Sequence, residues 1–175
     1  MKINMKWRHT TALLALLVLT AAALAPRLSA EDAPKAANPD DWLLNAPDDT
    51  ARFKMLQGQM RGFSASMIEV GQRFDALYDA VGDKNGEFAA YQLQKIKEVI
   101  VAGYTRRPKR QANADQVFVN AVVEPGLADL KSGDAEKAWA AFTNVRTACM
   151  ACHEAEKVAF INNQPRFRRT ASPRE

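Results

Sequence analysis

Between Thr50 and Gly82, the residues Leu56, Met60, Phe63, Met67, Val70, Phe74, Leu77 and Val81 recur at alternating steps of four and three. Side chains so spaced share one face of a helix, whereas a strand needs alternation with period two. A long helix with one apolar face must cover that face with other helices, which argues against a fold built on sheets. Gly82 is placed to end the helix, because glycine enters the left-handed conformation of a C-terminal cap without a Cβ clash.

Three further segments repeat the pattern. After Asn85-Gly86, the residues Ala89, Leu93, Ile96 and Ile100 mark a second helix that runs until Gly103 and the turn at Pro108. A third, over residues 113–131, sets Val117, Phe118, Ala121, Val122, Leu127 and Leu130 on one side, and Pro125-Gly126 is expected to bend or interrupt it. Ser132-Gly133-Asp134 stops that helix and gives an Asp N-cap to a fourth, which carries Ala138, Phe142, Val145 and Cys149 toward Ile161 and is closed by Pro165. Short connections and the lack of a strand pattern predict an all-α fold, an antiparallel up-down-up-down four-helix bundle over residues 49–165.

The ends of the chain read differently. Lys2, Lys6 and Arg8 precede fifteen apolar residues from Thr11 to Ala25, and Leu28-Ser29-Ala30 is a small-residue exit, the pattern of a signal peptide cleaved after Ala30. Fifteen residues fall short of the roughly 20 that span a bilayer as a helix, so no membrane span is expected after cleavage. Residues 1–30 hold four of the 24 basic residues and no acid, which leaves 20 of each sign in the remainder. The net charge of +4 therefore belongs to the leader and gives no reason to expect nucleic-acid binding. Residues 31–48, with Pro34, Pro39 and Pro47 among small and acidic residues, read as a flexible segment, and residues 166–175 as a basic tail.

Chemistry is concentrated at Cys149-Met150-Ala151-Cys152-His153. Two thiols that form thioethers with haem vinyl groups, beside an imidazole that coordinates iron, are what covalent attachment of haem c requires. On a helix, Cys149, Cys152 and His153 project within roughly a 100° arc, continuous with the face of Phe142 and Val145. The alternatives are an ordinary disulfide and a thioredoxin-like redox pair. The second belongs after a strand in an α/β pattern, and this chain has none.

The other histidine, His9, lies in the leader, so His153 is the sole imidazole of the exported chain. The opposite face of the iron is then left to methionine, lysine, water, a diatomic gas or nothing. The first helix offers Met55, Met60 and Met67. If that helix starts near Thr50 and the fourth ends near Asn162, Met60 and His153 lie at a common depth of about 15 Å from one end of the bundle. Met60 is thus the candidate distal ligand, with core packing as the plainer alternative. The same topology returns Arg106-Arg107-Pro108-Lys109-Arg110 to the haem end, where Arg106 or Arg107 would pair with propionates or simply form a solvated basic turn.

With its haem motif on the last of four helices and methionines on the first, the chain resembles the class II c-type cytochromes, which include cytochrome c prime and its low-spin, methionine-ligated relatives. The resemblance covers roughly residues 50–165. It implies haem attached at Cys149 and Cys152, with His153 as proximal iron ligand. It also implies a periplasmic carrier of single electrons to and from other redox proteins, or alternatively a binder of nitric oxide or carbon monoxide at an open sixth position. A homodimer through the first two helices is a further option within the resemblance. An enzymatic role such as peroxidase is not expected, because no distal histidine exists to act as acid and base.

Overall fold

A computed structural model describes residues 38–169, which divide into two compact units, one ending at Asp49 and the other beginning at Thr50. The predicted leader, His9, residues 31–37 and the last residues of the predicted tail lie outside the described residues. Of the first unit, residues 38–48 form turns, with Asn45 donating through its side chain to Asn38 O at 2.6 Å.

The second unit is all-helical, and no strand occurs among the described residues. In chain order it comprises α1 (Asp49–Gln59), α2 (Phe63–Gly82), α3 (Gly86–Tyr104), α4 (Gln111–Ala114), a π-helical turn (Asp115–Val119), α5 (Val123–Lys131) and α6 (Ala135–Ala155). Helix α2 packs on α3, α3 on α5, α5 on α6, and α6 returns to α2. About four helical segments therefore surround one core, in which Phe74, Phe118, Phe142, Leu77, Leu93 and Ile96 are almost wholly buried. The predicted stripe of the second helix is met in full: Ala89, Leu93, Ile96 and Ile100 are all buried.

Side-chain caps set the reversals between packed helices. Asn85 Oδ1 accepts from Phe88 N at 3.1 Å to start α3, and Asp134 Oδ1 accepts from Glu136 N at 2.9 Å and Lys137 N at 3.2 Å to start α6. Each satisfies amide groups that the first turn of a helix leaves unpaired.

Three expectations are corrected. The first helix is not continuous: it stops at Gln59 and resumes at Phe63, with Arg61 in a left-handed conformation (φ 58) between. Helix α2 does end at Gly82 as expected, and the left-handed residue beyond it is Lys84 (φ 57), whose amide bonds Val81 O while Asn85 N reaches back to Ala80 O at 2.8 Å. The last helix ends at Ala155 rather than near Ile161, because Lys157 (φ 59) turns the chain, and short 3-10 turns at Ala159–Asn162 and Pro165–Arg168 follow. The interruption expected at Pro125-Gly126 falls just before them, at residues 120–122, so Pro125 stands in the first turn of α5, where its missing amide proton costs nothing.

Candidate functional site

Helix α6 carries Phe142, Val145 and Cys149 at steps of three and four, and the first two are completely buried. That placement sets Cys149 and Cys152 against the core as half-buried, free thiols. Burial, and then the neighbouring Cys152 sulfur, push the Cys149 thiol up to about 12. Burial also raises Cys152, partly opposed by the positive charge of Arg110. Neither sulfur has the lowered pKa of an exchange nucleophile, and they do not form a disulfide.

His153 occupies the last turn of α6, and its ring is braced on two sides. Its Nδ1 lies 2.8 Å from Asn162 Oδ1, and its ring meets Phe167 edge to face at 5.6 Å between centroids. Both partners come from the segment that folds back after Lys157, where Val158 N bonds to His153 O at 2.9 Å. Phe167 also packs on Phe74 at 5.7 Å. The chain beyond Pro165, expected to be a solvated tail, is therefore seated on α2 and α6 as far as Arg169. Arg166 and Arg169 lie 3.3 and 3.1 Å from the Asp75 carboxylate, and Arg146 donates to Arg169 O. Arg166 crosses α2 over Gly71, where a Cβ would collide with its guanidinium.

The basic loop does return to the motif end of α6. Arg107, Pro108, Lys109 and Arg110 line a groove of about 550 Å³ with Ala155, Glu156 and Lys157. The anchor is Arg110, which pairs with the Glu156 carboxylate while Asn113 Nδ2 donates to the same group at 2.8 Å. Arg106 instead donates to Ser66 Oγ at 2.5 Å, and Arg107 donates to Arg106 O and lies against Gly62. Of the two predicted propionate partners, Arg107 lines this groove and Arg106 does not.

Met60 does not share the inward face expected of it. It follows the last residue of α1, is 57% exposed, and borders a groove with Gln59, Arg61, Ile68 and Arg73. The break at Arg61 removes the continuity on which its depth was reckoned. Met55 is exposed as well, whereas Met67 packs partly buried against the core. Counted from the actual helix ends, Met67 is four residues inside α2 and His153 two residues inside α6, about 6 Å and 3 Å deep.

Comparison with family models, with curated proteins and with solved structures found no match to this chain. Among the described residues, no three His, Cys, Asp or Glu side chains converge to hold a metal ion by themselves. A haem iron asks less of the protein, one axial ligand with the macrocycle supplying four nitrogens. The donor set is compatible with that demand: two free thiols on the core side, and beside them an imidazole whose Nδ1 is engaged by Asn162, so that Nε2 would be the atom to coordinate an iron. Asn162 was not singled out in the sequence. Had α6 continued as expected, the nine residues from His153 would have placed it about 13 Å away along the axis.

Proposed function

We propose that this chain is an exported monohaem c-type cytochrome of the class II kind, an antiparallel up-down-up-down bundle that carries single electrons among periplasmic redox proteins. The observation that carries the reading is the disposition of Cys149, Cys152 and His153 on α6: unbridged thiols against the core, with the imidazole oriented by Asn162. In this assignment Cys149 and Cys152 hold haem c through thioethers and His153 Nε2 is the proximal iron ligand. Bound haem supplies a one-electron couple at its iron. The residues of the chain hold it, shield it with the packed face of α6, and direct the imidazole.

The second reading, a binder of nitric oxide or carbon monoxide, is favoured by one observation: Met60 is exposed at the end of α1 and leaves the sixth position without its expected ligand. Met67, turned to the core, is the methionine that would restore the carrier.

Expression with cytochrome-maturation machinery tests both levels. The purified protein should retain haem after denaturation and acid-acetone extraction, and Cys149→Ala with Cys152→Ala should abolish retention. Haem that extracts freely from the wild type sinks the proposal. Low-spin spectra lost in Met67→Ala or Met60→Ala identify a carrier and its ligand, while a high-spin wild type with rapid carbon monoxide binding selects the second reading.

A further inference from the structure

We propose that Asn162 is a positioning residue for His153: it fixes which imidazole nitrogen carries the proton and strengthens the other as a ligand. The inference rests on the haem reading above. Its basis is a chain of hydrogen bonds that can be satisfied in only one way.

Asn162 Nδ2 donates to Met150 O at 3.2 Å, and Asn162 Oδ1 stands 2.8 Å from His153 Nδ1. A backbone carbonyl only accepts, so the amide must face it with its NH₂ group. The amide oxygen is thereby turned to the imidazole, and an oxygen acceptor requires a proton on Nδ1. Neutral imidazole carries one ring proton, so Nε2 bears the lone pair. Met150, inside the motif, thus orients the group that orients the motif's own histidine.

The geometry is built by the turn after α6. Lys157 reverses the chain, Val158 N closes on His153 O at 2.9 Å, and the short 3-10 turn at Ala159–Asn162 brings the amide back over the last turn of the helix. Phe167 holds the ring from another side. A donor–acceptor bond on the far nitrogen of a metal-bound histidine moves electron density toward the metal and stabilises its more oxidised state.

The test uses the full chain, matured with haem, as wild type, Asn162→Ala and Asn162→Asp. Two quantities are read: the reduction potential by spectroelectrochemical titration, and the solvent exchange of the His153 Nδ1 proton by NMR. Asn162→Ala should raise the potential and speed exchange by about tenfold, as loss of one hydrogen bond predicts. Asn162→Asp, a stronger acceptor, should lower the potential below that of the wild type. If Asn162→Ala fails to accumulate, the Asp variant decides by the sign of its shift. Haem attached in all variants with unchanged potential and exchange overturns the role of Asn162 alone. A wild type that attaches no haem overturns the underlying reading and this inference with it.

Discussion

The helical unit has two ends, and the fold treats them differently. Helix α1 enters with Phe53, Met55 and Leu56, yet buries no residue; Phe53 is 66% exposed. The segment after α6 looks less promising in sequence, with Asn162-Asn163-Gln164 and three arginines around Phe167, but it is seated on Phe74, Asp75 and His153. Apolar content therefore did not decide which end packs. What decided it was specific partners: a carboxylate on α2 for two guanidinium groups, a bare backbone at Gly71 for Arg166 to cross, and an aromatic pocket for Phe167.

The largest test of this contrast sets the core against α1. Phe142→Ala removes a completely buried ring that meets Phe74 at 5.0 Å, and should cost about 3–5 kcal/mol in denaturant unfolding. Phe53→Ala should change stability by less than about 0.5 kcal/mol. A Phe53 cost approaching that of Phe142 would mean that α1 is packed in solution.

Most of the packed stripes were legible in the sequence, because period alone identifies faces that meet inside a core: Val70 to Val81 on α2 and Ala89 to Ile100 on α3 are buried as the spacing demands. The placement of Cys149, Cys152 and His153 on the last turns of one helix, with both thiols against the core, was legible from their spacing. Two helix stops were not, although those at Gly82 and before Ser132 fall where the sequence placed them. Arg61, Lys84 and Lys157 take left-handed conformations that sequence reasoning assigns to glycine, so nothing marked the break before α2 or the end of α6. From those two missed stops follow the errors at Met60 and the invisibility of Asn162.

A middle-sized effect is expected at the folded-back segment. Phe167→Ala should cost about 2 kcal/mol, less than a core phenylalanine because Phe167 is only partly buried. It should also increase the access of His153 to a histidine-modifying reagent. Unchanged stability and access would mean that the segment does not hold the ring.

Tyr104 offers a smaller effect with a defined pH dependence. Its hydroxyl donates to Asp115 Oδ1 at 2.7 Å, and burial, then this bond, raise its pKa far above the usual value near 10. Because the folded state keeps the proton that the unfolded chain releases, the contribution is complete below about pH 10 and is lost as pH climbs through the higher folded value. Tyr104→Phe should cost about 1 kcal/mol at pH 7 and show a shallower stability loss above pH 10. Parallel alkaline profiles would remove this assignment.

The smallest effect returns to the two ends. At Arg61, Lys84 and Lys157 a side chain is held where its Cβ crowds the backbone, so glycine should be favoured over alanine by about 1 kcal/mol wherever the left-handed turn is part of the cooperative fold. Lys84 closes α2 onto α3, and Lys157 folds the chain back to His153, so both should show the full gap between their Gly and Ala variants. Arg61 joins α2 to a helix that buries nothing, and such a helix can unravel below the global transition. Its Gly and Ala variants should therefore unfold together in denaturant. A gap at Arg61 as large as that at Lys157 would show that α1 melts with the core, and would return Met60 to the structured part of the site.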